Sequence, residues 1–197
     1  MDLDHPLIPP FSPLLESVLS TAFTTGLDRL RSDGFKMEDI KTNERARRRF
    51  MHACHYGYDK AQKRIANEVL ALQDQIGFAK RELKRLRVAR DPAAKSVPLL
   101  LRVLKNRQLV LRRIVDGILY TIVGRETWVL RQLILDNRIR DLQPDVLRQT
   151  MAVASKLNAE DRAKFYLIAD LTTVVQIGDL IEENLRSPDA RKWRSLN

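Results

Sequence analysis

Between Thr42 and Arg90 the chain contains no proline, and its only glycines there are Gly57 and Gly77. Along that stretch Met51, His55, Tyr58, Gln62, Ile65, Val69, Leu72, Ile76, Ala79, Leu83 and Leu86 recur in alternating steps of four and three. This is the spacing of a heptad seam, in which the named residues line one stripe of an α-helix and need a partner to cover it. At about 1.5 Å per residue, roughly 48 residues form a rod about 70 Å long. A compact domain of 197 residues does not require such a rod, so either it protrudes or another helix lies along it.

The partner comes next in sequence. Asp91-Pro92 breaks the rod, and Ser96 ahead of Val97-Pro98 opens a second helix after a connection short enough to bring the chain back antiparallel. The returning helix carries its own seam at Leu101, Leu104, Gln108, Leu111, Val115, Ile118 and Ile122. Leu100, Val103, Val110, Ile114 and Leu119 widen the buried face, so more than one helix must cover it. Upstream, Ser12 as N-cap and Pro13 at the first helical position start a helix that runs to about Arg31, and Asp33-Gly34 stops it.

Downstream, a shorter amphipathic piece carries Trp128, Leu130, Leu133 and Ile134, and Pro144 opens a helix that reaches Leu157. Asn158 with Asp161 then resembles the capping pair of a last helix holding Phe165, Ile168, Leu171, Val175 and either Leu180 or Ile181. The β-branched stretches Thr172 to Val175 and Tyr120 to Val123 are alternatives as short strands. Seven glycines and eight prolines supply few turns for a sheet protein of this length. The expected fold is all-α: a long antiparallel, coiled-coil-like helical hairpin packed with shorter N- and C-terminal helices. It divides into an N-terminal segment and helix (1–35), the basic hairpin (36–136), a C-terminal helical pair (137–185) and a basic flexible tail (186–197).

The charge is segregated. Lys36 to Arg113 contains 21 Lys+Arg and 8 Asp+Glu, whereas the rest of the chain has 14 and 17. Arg45, Arg47, Arg48 and Arg49 cluster at the start of the rod, and the face opposite the seam carries Lys60, Lys63 and Arg64, then Arg81, Lys84 and Arg85. The last two groups are centred roughly 31 Å apart along a helix, close to the ~34 Å turn of B-form DNA. Arginine outnumbers lysine 24 to 11, and its planar fork grips phosphate bidentately. These ten residues are the candidate nucleic-acid contacts, and an acidic partner protein fits the same surface. Leu70 and Phe78, midway along this face, are expected to pack under the first or last helix, leaving the two ends open to a ligand. A membrane is a weaker partner: the most apolar run, Val97 to Val123, is broken by Arg102, Lys105, Arg107, Arg112, Arg113 and Asp116.

The segment Arg47-Arg48-Arg49-Phe50-Met51-His52-Ala53-Cys54-His55-Tyr56-Gly57-Tyr58 places Arg47 five residues before His52 and Arg49 six before His55. Both spacings resemble the Arg-x(4 to 6)-His motif of HEPN-type ribonucleases, which are also all-helical. The resemblance implies metal-independent RNA cleavage by Arg47 or Arg49 with His52 or His55 at an interface between paired protomers. The residue after the arginine is Arg48 or Phe50 here, where that family has Asn, Asp or His. A structural account of the same residues has His55 and Tyr58 on the seam, hydrogen-bonded and packed. Zinc binding by His52, Cys54 and His55 would need further ligands, and with His5 the only other histidine, no metal or other cofactor is expected. Asp179, Glu182 and Glu183 read as a solvated face near the end of the last helix. The tail residues Arg191-Lys192-Trp193-Arg194 offer an indole among cations.

With one cysteine and an acidic, proline-broken N-terminus lacking the pattern of a secretory signal, the sequence reads as cytoplasmic. The leading expectation is a non-enzymatic helical protein whose hairpin mediates self-association or partner binding, and whose basic surface meets nucleic-acid phosphates or an acidic partner. The HEPN-like ribonuclease, and a scaffold or adaptor with no nucleic-acid affinity, are the alternatives.

Overall fold

The computed structural model describes residues 3–123, 142–161, 163–175, 179–184 and 194–196. Helix α1 spans Ser12–Ser32, a single turn α2 spans Asp39–Thr42, and α3 runs unbroken from Glu44 to Val88, 45 residues. A 3₁₀ turn at Pro92–Lys95 leads into α4, Val97–Ile122, and α5 follows at Pro144–Glu160. Strands β1 (Lys164–Ile168), β2 (Leu180–Asn184) and β3 (Arg194–Leu196) form a small antiparallel sheet in that order. The fold is all-α, with the α3/α4 hairpin as its body and this sheet attached at its C-terminal end.

The seam explains α3. Asn43 caps it by accepting from the N–H groups of Arg45 and Ala46, and every seam residue from His55 to Leu86 is buried except Leu83, which is partly exposed. Ile65, Leu72, Leu104, Leu111 and Ile118 are among the largest fully buried side chains, each worth about 2 kcal/mol of burial. Gln73 and Gln108 join the two arms side chain to side chain at 3.0 Å. The wide face of α4 is covered by more than α3. Arg107, buried, donates to the Leu3 carbonyl and to Asp4 and lies 5.1 Å from the Phe11 ring centroid, pinning the N-terminal segment. Arg112 donates to the Thr172 carbonyl, and Asp116 accepts from the N–H and hydroxyl of Thr173. Burial raises the Asp116 carboxyl above its ordinary value, against the Thr173 hydrogen bonds and the neighbouring Arg112 and Arg113.

Helix α1 packs antiparallel on the first half of α3, and glycine sets the closeness of that crossing. A Cβ at Gly57 would stand 2.6 Å from the Thr21 carbonyl oxygen, and one at Gly26 would stand 2.3 Å from Cys54 Sγ. Near the end of α1 the chain turns at Asp33-Gly34 as expected, with Gly34 at φ +76. Its start differs slightly: Phe11 occupies the N-cap position, and no side chain caps the helix.

The last helix of the sequence reading does not form. Helix α5 ends at Glu160, and Phe165 and Ile168 lie on β1 while Leu180 and Ile181 lie on β2. Their three- and four-residue spacing suits a helix, but Tyr166 and Leu167 are buried too. Phe-Tyr-Leu-Ile is a short run of strand formers buried on both faces. Asn158 does not cap a following helix: its Oδ1 accepts from the Tyr166 N–H at 2.7 Å. Gln62, fully buried on α3, completes that edge, donating to the Tyr166 carbonyl at 3.0 Å and accepting from the Ile168 N–H at 3.2 Å. The β1 edge not paired with β2 is therefore satisfied by two side-chain amides. Thr172 to Val175 belongs to the β1–β2 connection, not to a strand, and Tyr120 to Ile122 closes α4. The tail is not frayed throughout, because Arg194–Leu196 pairs with β2. The expected amphipathic piece around Trp128, Leu130, Leu133 and Ile134, and residues 191–193 of the tail, lie outside the described residues.

Candidate functional site

The three cationic clusters keep to the surface of α3. Arg45, Arg47, Arg48, Lys60, Arg64, Arg81, Lys84 and Arg85 are exposed, and Arg49 and Lys63 are half-exposed. Their carboxylate partners are few. Arg47 and Arg48 share Glu44 at 2.5 and 2.8 Å, Arg49 meets Asp33 at 3.1 Å, Lys63 meets Asp59 at 2.6 Å and Arg85 meets Glu82 at 2.5 Å. Arg64 donates to the Ser17 hydroxyl instead, and Lys60 lies 4.4 Å from the Tyr56 ring centroid. Arg45, Arg81 and Lys84 have no ion-pair partner among the described residues. Five of the ten cations thus pair with four carboxylates, in largely exposed pairs that contribute little and leave most guanidinium donors available. The hydrogen bond from Arg85 holds the Glu82 carboxyl below its ordinary value.

Along the first half of α3 this face is the floor of a groove of about 1150 Å³. Arg49, His52, Tyr56 and Lys63 come from α3, Arg29 from α1 and Lys164 from β1. The helical period accounts for the shape. Gly57, against α1, and Gln62, against β1, lie roughly 100° to either side of the stripe that holds Arg49, Tyr56 and Lys63. The neighbouring elements rise as walls on both sides. Arg29 and Arg49 meet on Asp33, so two guanidiniums share one carboxylate. Lys164 is paired with Glu182 across the sheet at 3.1 Å.

Of the Arg/His motif, the groove brings together Arg49, His52 and His55, whereas Arg47 turns to Glu44 outside it. His55 is only 4% exposed; it packs against Phe165 at 5.5 Å and its Nε2 lies 2.9 Å from Glu183 Oε2. An ionised carboxylate only accepts, so Nε2 donates to Glu183, while Nδ1 is buried and without a hydrogen-bond partner among the described residues. Tyr58 packs on the rings of Phe23 and Phe165, and burial drives its phenol far above the ordinary value, with Cys54 and Glu183 adding to the effect. Both side chains are buried and packed as the sequence suggested, but of the two only His55 has a side-chain hydrogen bond among the described residues. The acidic trio is not a solvated helix face: Glu182 and Glu183 lie on β2, paired with Lys164 and His55.

Phe78 does not pack under another helix. It is 64% exposed, while Leu70 is half-buried against the core. Sequence reasoning missed Arg29, Lys164 and Glu183 as neighbours of the motif, since only the α1–α3 crossing and the sheet bring them there. Among the described residues no group of three His, Cys, Asp or Glu side chains is placed to hold a metal ion, and no helix is long and apolar enough to cross a membrane. No protein-family model, curated protein or solved structure matches the chain.

Proposed function

We propose that this protein binds nucleic acid through the cationic face of α3, by neutralising backbone phosphates rather than by reading bases. The observation that carries the reading is three Arg/Lys clusters at the surface of one unbroken helix, with only five of the ten cations in ion pairs among the described residues. Counterion release makes such binding fall steeply with salt. In a fluorescence anisotropy titration at about 50 mM salt, labelled oligonucleotides should bind, and the affinity should fall by at least about tenfold by about 200 mM. Reversing Arg81→Glu and Lys84→Glu together should weaken binding and flatten the salt slope by about two. Absence of binding at low ionic strength overturns the reading and leaves an acidic partner protein, or a scaffold, as the occupant of this surface. The single cysteine suits a cytoplasmic setting for this activity.

A second reading is favoured by one observation: Arg49, His52 and His55 share the groove, and His55 is oriented by Glu183. His52, exposed on the groove floor, is the candidate general base, with His55 packed behind it, and Arg49 one helical turn from His52 can stabilise a phosphate in transition. The reaction is metal-independent cleavage of RNA, in which the 2′-oxygen loses its proton to a histidine and attacks phosphorus to form a 2′,3′-cyclic phosphate, while the bond to the 5′-oxygen breaks and that oxygen takes a proton from water. Labelled RNA incubated with the protein and with His52→Ala and His55→Ala tests it. Cleavage that survives both substitutions excludes this site, and no cleavage by the wild-type protein removes the reading.

A further inference from the structure

Two large aromatic side chains stand in water on the cationic face of α3: Tyr56 at 56% exposure and Phe78 at 64%. They are 22 residues apart, about 33 Å along the helix and offset by only about 40° around it. Each adjoins cations. Tyr56 lies between the Arg45–Arg49 group and Lys60, whose ammonium is 4.4 Å from its ring centroid. Phe78 precedes Arg81, Lys84 and Arg85. Both rings stand on the side of α3 away from a seam that is buried from His55 to Leu86 except at Leu83.

We infer that this face takes single-stranded nucleic acid, with Tyr56 and Phe78 as stacking platforms and the flanking cations on the phosphates. The inference rests on the phosphate-binding reading and adds the strandedness of the ligand. Aromatic side chains spaced along a basic track are the recognition device for unpaired bases, since every base offers a π-face. Tyr56 also lies on the groove floor, between α1 on one side and α5 and β1 on the other. A splayed base can descend to it, whereas the bases of a duplex are paired inward and present phosphates and sugars to the walls. At ~3.4 Å per nucleotide of a stacked strand, about ten nucleotides span the two rings.

The test compares a 16-nucleotide oligodeoxythymidylate, a 16-nucleotide oligouridylate and a 16-base-pair duplex by anisotropy at low salt. The full-length protein is used together with Tyr56→Ala, Tyr56→Phe and Phe78→Ala. Both side chains are more than half exposed, so their removal leaves the core intact, and circular dichroism checks this. Both single strands should bind more tightly than the duplex. Tyr56→Ala and Phe78→Ala should each weaken single-strand binding at least about fivefold, leaving duplex affinity and the salt slope unchanged, while Tyr56→Phe stays near wild type. If both single strands and the duplex bind equally and neither alanine variant differs from wild type, the inference fails while the phosphate reading stands. If no oligonucleotide binds, the phosphate reading fails and takes the inference with it.

Discussion

Cys54 illustrates how far one side chain on α3 is governed by its neighbours. It faces α1, where only the absence of a side chain at Gly26 leaves room for Sγ. Burial, reinforced by the Glu183 carboxylate, pushes its thiol from 9.0 up to about 12. A raised thiol value means that the proton is retained through the neutral and mildly alkaline range, so at pH 8 the native thiolate fraction is about a thousandfold below that of an unperturbed cysteine. Alkylation by iodoacetamide at pH 8 should be correspondingly slow in the native protein and rapid in denaturant. Fast stoichiometric labelling of the native form would contradict this burial. Gln62 shows the same dependence from the other side. Its place in the seam was legible from spacing, but its role was not, because the backbone groups it satisfies lie more than a hundred residues away on β1.

Among the elements, α1 and α3 are joined where Gly57 meets the Thr21 carbonyl. That oxygen also accepts from the Thr25 hydroxyl at 2.6 Å, so it belongs to a fixed backbone that cannot swing aside. Gly57→Ala should therefore destabilise the protein, since the overlap costs about 1–3 kcal/mol and outweighs the gain in helix propensity. Gly77→Ala is the internal comparison. Its nearest obstacle is the flexible end of Arg81 at 3.5 Å, so propensity should prevail and stability should rise by about 0.5–1 kcal/mol. Denaturant unfolding of the two variants should give changes of opposite sign, and a stabilising Gly57→Ala would refute the close crossing. The hairpin was legible because its seams are long and local in sequence. The sheet was not, because Phe165, Ile168, Leu171 and Val175 satisfy a helical spacing, and what selects the strand is β2, Gln62 and Asn158, all supplied by tertiary contact. The candidate site divides in the same way. The arginine clusters were visible within a single helix, but Arg29 and Lys164 join the groove, and Glu183 meets His55, only once the chain has folded.

At the scale of the whole molecule, the positive excess of Lys36 to Arg113 is held on adjoining helices, while the remainder of the chain is mildly acidic. Concentrating like charge along α3 opposes folding by self-repulsion and attracts any polyanion that binds the native state. Salt acts on these two effects with opposite sign. Raising the ionic strength from about 20 to about 300 mM shortens the screening length from about 20 Å to about 6 Å, the distance between neighbouring cations within one cluster, so the melting temperature of the protein alone should rise. With a single-stranded oligonucleotide at a hundred times its Kd in low salt, linkage adds about 2.7 kcal/mol. For a chain of this size that is about 5–10 °C in melting temperature. The increment should vanish at the higher ionic strength as binding is lost, so the curves of melting temperature against salt, with and without oligonucleotide, should converge from well-separated starting points. Parallel curves would mean that the ligand is not held by charge, and a melting temperature that falls with salt in the protein alone would mean that the arginines of α3 are already neutralised within the fold.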